Sequence, residues 1–439
     1  MKAFNAEDRR MAKRKNREFC LLSPGFPTAR TVSRGMNPMS WTHDAKLLPV
    51  IRAAADEIVA LRRDLHAHPE LGFETKRTTD LIVKTLRGWG VEEVHDDWTR
   101  GGVVAVIEGN RPGRTVAIRA DIDALAMPDE SGAPWASPVC RSHACGHDGH
   151  AAWMLGAVKA LHEDRNFPGR VAAIFQPAEE IGRGAKSVVE SGVLERLEVA
   201  EIYGAHNDST LPEGVFGFRE GAIQASCDFF HIRLVGRGIH AARPHYGIDP
   251  VTTGALLVSA LQNIVARKID SLESAVVSVS AFEAGDCGAP NVMPGEARLA
   301  GTVRTFSEAV RDRIEEEMRR MVEEVAASQG CRAEFRYDRL TSVVLNDGER
   351  TAAIRRIAAE HFGEDAVGSI VVSMSGEDFS EYLRRIPGAM FRVGFHAPGH
   401  EVPLHNPKFD FNDAIIPAAA TLFVLIAKAR LEALAAGTK

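Results

Sequence analysis

The sequence has few of the features that mark membrane, secreted or nucleic-acid-binding proteins. Its longest apolar stretch, 414–427, contains Pro417 and is shorter than the roughly 20 residues of a membrane-spanning helix. Its six cysteines are scattered and lack the dense spacing of a disulfide scaffold. Its net charge of −6 gives no sign of the basic surface with which proteins bind nucleic acid. We expect a cytoplasmic protein without a nucleic-acid or membrane partner, in which reducing conditions keep the thiols available.

Glycine-rich loops that could cradle a phosphate are also missing. The segments 109–113 and 182–184 contain glycines but lack the glycine spacing and the following lysine of such a loop. The remaining composition, with 45% hydrophobic and 26% charged residues, is that of an ordinary globular protein. Because 439 residues exceed what one hydrophobic core usually supports, we expect two domains.

Residues 1–40 differ from the rest of the chain. They hold nine Lys and Arg against three Asp and Glu, three prolines and little periodicity. They contain no apolar core of signal-peptide length, and their acidic residues argue against a transit peptide. We expect either a disordered basic extension or an upstream start, with Met36 or Met39 as the working initiator.

Helices and strands alternate over the next part of the chain and again near its end. This alternation indicates an α/β fold, with a mixed sheet flanked by helices and with function collected at the carboxyl ends of the strands. The predicted helices are 51–65, 151–161, 349–361 and 414–434, and the predicted strands are 102–108, 115–119, 171–175 and 199–203.

The order of predicted helices and strands changes between 226 and 339. The element order there, β-α-β-β-α-β, is that of a small ferredoxin-like α+β sandwich. We therefore predict a larger domain of 41–225 and 340–439, with an inserted domain of 226–339. The strands of the insertion are predicted at 229–235, 275–282, 297–305 and 332–337, and its helices at 251–266 and 307–328.

Residue types that ligate metals are concentrated in 143–150, which reads HACGHDGH. Thiolates and imidazoles are preferred ligands of divalent metals such as zinc. Further along, Glu179 and Glu180 follow a predicted strand, and Asp121, Asp123 and His206 follow others. Because the carboxyl ends of neighbouring parallel strands meet at one edge of a sheet, these residues predict one metal centre with a general base beside it.

Six ordered motifs between 62 and 413 resemble one known family. That family is the metal-dependent aminoacylase and carboxypeptidase-like hydrolases, in the branch of hippurate hydrolase and the plant auxin-conjugate (IAA-amino acid) amidohydrolases. The motifs are RRDLHAHPE at 62–70, RADIDAL at 119–125, HACGHDGH at 143–150, QPAEE at 176–180, GAH at 204–206 and PLHNPKFD at 403–410.

The resemblance implies a centre of two divalent metal ions in each subunit. One thiolate, one carboxylate and three imidazoles give this centre a charge and softness suited to zinc or manganese, with cobalt or nickel as alternatives. Cys145 would stand where more distant relatives place a bridging aspartate, and the field of two cations would keep its thiolate deprotonated. The implied ligands are Cys145, His147, Glu180, His206 and His405.

The resemblance also implies roles for neighbouring carboxylates. Glu179, adjacent to a ligand but not itself bound, would be the general base that takes a proton from water and returns it to the leaving amine. Asp121 and Asp123 would orient ligand imidazoles without binding metal. We expect His66 and His68, which close a helix before a proline, to be structural.

A second set of motifs lies in the inserted domain. GIHAARPH at 238–245 resembles a family motif that usually has glycine at the position of Ile239. Because a β-branched residue resists a positive φ, this departure could alter the backbone conformation of the loop. By resemblance, His240 would help to stabilise the tetrahedral oxyanion from a dimer partner. Asn291 and Arg304 would contact the substrate, where a guanidinium suits a free carboxylate, although Arg304 could instead form a structural salt bridge. The inserted domain would then be a dimerisation (lid) domain of a homodimer.

These observations lead to one leading function and two rivals. The leading hypothesis is a metal-dependent N-acyl-amino-acid amidohydrolase that releases a carboxylic acid and a free amino acid. A dipeptidase or carboxypeptidase of the same fold would also meet an amide beside a carboxylate. A catalytically silent binding protein is the rival from another class, although Glu179 and all five implied ligands are present.

Overall fold

The computed structural model describes residues 41–437, so the prediction for residues 1–40 lies outside the described part of the chain. The described residues form two compact units. Unit 1 comprises Met1–Phe218, of which 41–218 are described, with Ala352–Ser369 and Met390–Lys439, of which 390–437 are described. Unit 2 comprises Arg219–Thr351 and Ile370–Ala389.

Strands and helices alternate along the described residues. The strands are β1 (Glu93–His95), β2 (Val103–Glu108), β3 (Arg111–Asp121), β4 (Pro168–Gln176), β5 (Val199–Pro212), β6 (Phe216–Phe218), β7 (Gly221–Gln224), β8 (Cys227–Val235), β9 (Ile239–His240), β10 (Ala275–Ala284), β11 (Val292–Met293), β12 (Glu296–Thr305), β13 (Arg332–Thr341), β14 (Val344–Asn346), β15 (Val367–Ser369) and β16 (Gly388–His396). The α-helices are α1 (Pro49–Ala67), α2 (Lys76–Gly88), α3 (His147–Glu163), α4 (Gly184–Glu190), α5 (Val193–Arg196), α6 (Pro250–Lys268), α7 (Glu308–Ser328), α8 (Gly348–Phe362), α9 (Ser380–Leu383) and α10 (Ile416–Ala435).

Unit 1 is built on an eight-stranded mixed sheet. Its strand order is β1-β2-β4-β3-β5-β16-β6-β15. β3 pairs in parallel with both β4 and β5, whereas β2 runs antiparallel to β4. The central strands are apolar and buried along most of their length, as expected for strands covered on both faces. The predicted α/β fold with a mixed sheet flanked by helices is confirmed.

Unit 2 contains the β-α-β-β-α-β sandwich. Its four-stranded sheet has the order β10-β12-β8-β13, with antiparallel neighbours. α6 and α7 bury Leu257, Leu261, Ile314 and Met318 in one cluster with residues of β8. The N-cap of α6 is Asp249 and that of α7 is Ser307, and each side chain accepts a main-chain N–H of the first turn. The limits 226–339 of an inserted domain remain a prediction.

Several elements of unit 1 extend beyond their predicted ends, and the extensions of α3 and β5 matter for the polar residues. α3 begins at His147 rather than 151, because Gly146 takes a left-handed φ of 88° and turns the chain into the helix. β5 continues to Pro212, so His206 lies within a strand and not after one. The main-chain pairing of β5 continues after its side chains become polar. The prediction ended the strand where its apolar residues end and therefore missed this continuation.

The apolar stretch near the end of the chain is a core helix. Pro417 does not break it but occupies its first turn, where a missing N–H costs nothing. By length and composition 413–435 could span a membrane, so the expectation that the run is too short was wrong. However, 78% of its apolar window is buried, and α10 packs on α3 and β3. Burial against the sheet accounts for its composition.

A buried ion pair fixes α10 to the sheet. The Arg430 guanidinium donates to both oxygens of Glu201 on β5, with both distances 2.8 Å. The hydroxyl of Tyr203 donates to the same carboxylate at 2.7 Å. The Glu201 side chain is fully buried and that of Arg430 is 7% exposed, so each charge depends on the other for compensation.

We predict that Arg430→Met lowers the free energy of unfolding by about 3–5 kcal/mol, because it leaves the Glu201 carboxylate buried without its cation. Glu432, two residues further along α10, pairs with Arg111 at the surface and supplies the control. Glu432→Gln should leave stability nearly unchanged. Denaturant unfolding of both variants measures the difference, and equal midpoints would contradict the assigned role of the buried pair.

Candidate metal centre

Three loops of unit 1 bring the predicted ligands together. Cys145 and His147 flank the left-handed Gly146, so the thiol lies just before α3 and the imidazole on its first residue. The main-chain N–H of His405 donates to the Ala144 carbonyl at 2.8 Å and ties the distant C-terminal loop to this turn. Glu180 follows β4, and His206 lies on β5.

The five predicted ligands form two overlapping donor groups that share Cys145. The first group is Cys145, His147 and His206, and the second is Cys145, Glu180 and His405; within each group the donor atoms lie within 4.8 Å of one another. The Cys145 Sγ is 3.4 Å from the His206 Nε2 and 3.3 Å from the His405 Nε2. With metal–donor bonds of about 2.0–2.3 Å, donors on one tetrahedral ion are separated by roughly such distances.

Hydrogen bonds fix the orientation of two of the imidazoles. His147 directs Nδ1 at the Asp123 carbonyl, 2.9 Å away, and His206 directs Nδ1 at the Asn207 carbonyl, 2.8 Å away. A carbonyl only accepts, so Nδ1 is the protonated nitrogen of each ring. In the neutral form of either ring, Nε2 therefore carries the lone pair that a metal ligand needs. Although burial opposes its charge, Asp121 raises the pKa of His147 well above its usual range, so a metal ion at this nitrogen would replace a proton.

The QPAEE turn directs both glutamates into the centre. Ala178 adopts a left-handed φ of 61°, and its carbonyl accepts the N–H groups of Arg183 and Gly184. The Asp123 carboxylate accepts the N–H of Glu179 at 3.0 Å and that of Glu180 at 3.3 Å. Among the ligands, His405 also has a left-handed φ, of 59°. Such conformations cost energy in residues other than glycine and are often found at functional sites.

In the metal-free protein, burial opposes the negative charges of the carboxylate and thiolate ligands but favours the neutral form of the His206 imidazole. Burial raises the pKa of the Glu180 carboxyl to about 7 and the pKa of the Cys145 thiol well above its usual range. Burial lowers the pKa of His206 well below its usual range. Cations at the centre would reverse the first two effects, because they stabilise the carboxylate and the thiolate.

Two buried polar atoms of the centre have no hydrogen-bond partner among the described residues: the His147 Nε2 and the Glu180 Oε1. These atoms lie 3.9 Å apart, and the Glu180 Oε1 is 3.7 Å from the His405 Nε2. Unpaired buried donors and acceptors are costly, whereas a cation would satisfy both lone pairs. The residues present therefore fit divalent metal ions.

Glu179 lies beside this donor set. Its Oε2 is 4.0 Å from the His147 Nε2, and its side chain is 10% exposed, so it borders the centre from the solvent side. Asp121 is fully buried, and its Oδ2 is 3.6 Å from the same His147 nitrogen. Although burial opposes its charge, His147 and Arg119 hold the pKa of the Asp121 carboxyl well below its usual range.

The structure adds supporting residues to which the sequence gave no role. His150, one turn after His147 on α3, contacts Asp121 through Nδ1 and Asn207 through Nε2. Its place in the HACGHDGH run was the signal that could have identified it. Asp148 accepts from His66 at 2.7 Å and pairs with Arg62 at 2.8 Å, which ties the first turn of α3 to α1.

His240, Asn291 and Arg304 lie in unit 2. Ile239 does not adopt a positive φ but lies with His240 in the short strand β9, which pairs with β11 beside Asn291. The exposed His240 accepts the Ala242 N–H at Nδ1, so Nε2 carries the proton and can donate. The Arg304 Nη1 donates to the Val303 carbonyl at 3.0 Å and to the Thr302 hydroxyl, and no carboxylate pairs with Arg304 among the residues that the structure describes.

Comparisons with known proteins identify the family of this chain. The chain matches the model of peptidase family M20/M25/M40 over residues 117–429. It is 40% identical to the N-acetylcysteine deacetylase of Bacillus subtilis over 383 residues, which cover 87% of this chain and 98% of that protein. It is 32% identical to the hippurate hydrolase of Campylobacter jejuni, with 87% and 98% coverage.

A solved structure shares both the fold and the kind of centre. It is that of a Bacillus subtilis dinuclear metal-binding peptidase from the M20 family, with a TM-score of 0.76 and 37% identity over 87% of this chain and 99% of that chain. The resemblance inferred from the six motifs is thus confirmed, and the chain belongs to peptidase family M20/M25/M40.

Proposed function

We propose that this protein is a metal-dependent amidohydrolase that cleaves N-acyl amino acids into a carboxylic acid and an amino acid. The observation that carries this proposal is the pair of donor groups sharing Cys145, with Glu179 beside them. Relatives named for the deacetylation of N-acetylcysteine and the hydrolysis of hippurate support the substrate class. A reducing cytoplasm would suit an enzyme whose centre depends on a thiolate.

In this proposal the five ligands would hold two divalent cations, and Cys145 belongs to both donor groups. His147 and His206 complete one donor group, and Glu180 and His405 complete the other. Zinc or manganese suits this mixture of thiolate, carboxylate and imidazole, and cobalt or nickel could replace them. When bound, such ions polarise an amide carbonyl and bring the pKa of a water molecule to about 7.

Glu179 supplies the proton transfer. It takes a proton from the attacking water as the amide carbon becomes tetrahedral, and then delivers that proton to the leaving amine. Asp123 supports this role because it accepts the main-chain N–H groups of Glu179 and Glu180 and thereby orients the turn that carries both. The main-chain carbonyl of Asp123 orients the His147 imidazole through Nδ1, and the buried Asp121 carboxylate, 3.6 Å from Nε2, adds negative charge that favours a cation there.

Unit 2 supplies the remaining groups in this proposal. From a dimer partner, the Nε2–H group of His240 would donate to the developing oxyanion. Asn291 and Arg304 would contact the substrate, with Arg304 pairing with the free carboxylate of the amino-acid moiety. Arg304 suits this role because it donates to a hydroxyl and to main-chain carbonyls, none of which neutralises its charge.

We propose that the protein is a homodimer joined through unit 2. β10 is an edge strand of the four-stranded sheet and carries Val276 and Phe282, which are 38% and 40% exposed. Leu256 on the neighbouring α6 is 47% exposed. An exposed apolar edge is suited to pairing across a two-fold axis, where β10 of one copy meets β10 of the other.

A substrate screen tests the proposed function against its rivals. The metal-reconstituted protein is incubated with hippurate, N-acetyl amino acids and dipeptides, and the released amines and acids are identified. Faster cleavage of N-acyl amino acids than of dipeptides supports the proposal. Preference for dipeptides would establish a peptidase of the same fold, and the absence of hydrolysis from a metal-loaded protein would establish a binding protein.

We predict that Glu179→Gln keeps its metal but loses about 10²–10⁴-fold in kcat, because a general base typically contributes this much. The matched variant Glu180→Gln changes the adjacent carboxylate and should lose metal, because Glu180 belongs to the donor set. Metal content and steady-state rates are measured on the same preparations. A fully loaded Glu179→Gln enzyme with the wild-type rate would disprove the base assignment.

We predict that Cys145→Ala lowers metal occupancy, whereas Cys227→Ala and Cys331→Ala do not. All three are buried free thiols, so the two controls remove a comparable group elsewhere. Chelator-treated wild-type protein should also react faster with thiol reagents at Cys145, because the thiolate is no longer coordinated. Identical occupancy in all three variants would show that Cys145 is only a packing residue.

We predict that activity recovers when a His240→Ala subunit and a Glu179→Ala subunit form a heterodimer. If His240 acts on the partner's centre, one site of the heterodimer contains both intact residues, although each homodimer is nearly inactive. His245→Ala, which removes another exposed histidine of the same motif, should remain active as a control. Verified heterodimers without activity would show that His240 does not act across subunits.

A further inference from the structure

Asn207 contacts three segments that surround the candidate metal centre. Its carbonyl accepts from the Nδ1 of the preceding ligand, His206. Its side-chain amide lies against Gly146, where a Cβ would be 2.7 Å from Nδ2 and 3.0 Å from Oδ1. The same amide is 2.8 Å from the His150 Nε2, and the residue is 1% exposed. One buried side chain thus contacts the turn between two proposed ligands and the helix that follows it.

The hydrogen bonds around Asn207 determine which end of its amide faces His150. The main-chain N–H of Asn207 donates to the His150 Nε2 at 3.3 Å, which requires a lone pair on that nitrogen. An amide oxygen facing the same lone pair would be repelled, and the buried Nδ2 would have no partner among the described residues. The two ends of an amide have nearly the same shape, so a half-turn removes the repulsion, gives the NH₂ group an acceptor and turns Oδ1 toward Gly146. The NH₂ group then donates to Nε2.

This direction of donation has a consequence at the far side of the His150 ring. With Nε2 accepting, the ring proton is on Nδ1 and is donated to the Asp121 Oδ1. The other oxygen of Asp121 accepts from Arg119 at 2.9 Å and faces the His147 Nε2 at 3.6 Å. A continuous path of directed hydrogen bonds therefore runs from Asn207 through His150 to the carboxylate beside a proposed ligand.

We propose that Asn207 is a positioning residue of the metal centre. Its amide donates to the His150 Nε2, which directs the imidazole proton to Asp121 and holds that carboxylate beside His147. Its bulk also fixes the Gly146 turn that sets the spacing of Cys145 and His147. The inference rests on the proposed metal centre and adds two residues, Asn207 and His150, that support its geometry.

The test compares a substitution that replaces only the NH₂ group of Asn207 with one that removes the whole amide. Asn207→Asp keeps the shape but removes the donor, and Asn207→Ala removes the whole group. We expect both to weaken metal binding about 10–100-fold, the usual loss when a partner of a ligand is removed. Asn346→Ala is the control, because Asn346 is a 3% exposed asparagine of unit 2 whose amide donates to the Arg219 carbonyl at 2.9 Å. It should bind metal as the wild type does.

Metal affinity is measured by competition with a chelator, and the cobalt-loaded proteins are compared by visible absorption, which reports thiolate and imidazole coordination. Altered cobalt spectra in both Asn207 variants, with an unaltered spectrum in Asn346→Ala, support the positioning role. Wild-type metal affinity in either variant would overturn the positioning role. In Asn207→Ala it would show that the side chain is not needed, and in Asn207→Asp it would show that the hydrogen-bond donor is not needed.

A measurement on the wild type covers the case in which the variants do not fold. The ¹⁵N chemical shifts of the imidazole nitrogens distinguish a lone-pair nitrogen from one that carries a proton. We expect the His150 Nε2 to be a lone-pair nitrogen in the zinc-loaded and in the metal-free protein. A proton on Nε2 would overturn the inference. Failure of the wild type to bind any divalent metal would instead overturn the proposed function, while the metal-free spectrum still tests the hydrogen bond.

Discussion

The parallel pairing of β3 with β4 and with β5 is the constraint on which the centre depends. It aligns Asp121 with Gln176 and Arg119 with Gly204, so that acidic and imidazole residues distant in sequence lie at one edge of the sheet. The buried apolar strands supply the free energy that holds this edge together. The polar residues themselves are costly to bury and are not the source of that stability.

Around this edge, hydrogen bonds to main-chain carbonyls and carboxylates replace the solvent that the imidazoles have lost. His147 and His206 each commit one ring nitrogen to a carbonyl, and His150 commits one to Asp121. In each ring, this hydrogen bond determines which of the two nitrogens faces the next partner. The imidazole rings are therefore oriented before an ion binds, so ion binding does not cost the free energy of rotating the rings into place.

Much of this arrangement could be predicted because its signals are local in sequence. The HACGHDGH and QPAEE motifs each hold two of the proposed centre residues within a few positions, and strand and helix periodicity placed them on a sheet edge. The alternation of elements likewise indicated the four-stranded sandwich of unit 2. The family motifs added His405, which no periodicity could connect with Cys145.

The features that escaped prediction depend on contacts between distant segments. The left-handed turn at Gly146 starts α3 at His147, and pairing within the sheet carries β5 past His206. Neither follows from the apolar pattern. Asn207 looked like an ordinary polar residue in GAHN, because its partners Gly146 and His150 are far away in sequence. Pro417 suggested a break, but only its position in the first turn of α10 shows that it begins the helix.

The contact between His405 and Cys145 joins residues 260 positions apart. During synthesis, the chain leaves the ribosome from its amino terminus, so the first donor group is exposed long before the second can exist. An ion captured by Cys145, His147 and His206 would at that stage lack the partner that Glu180 and His405 help to hold. Both donor groups can therefore be complete only after the chain has been made as far as His405 in unit 1.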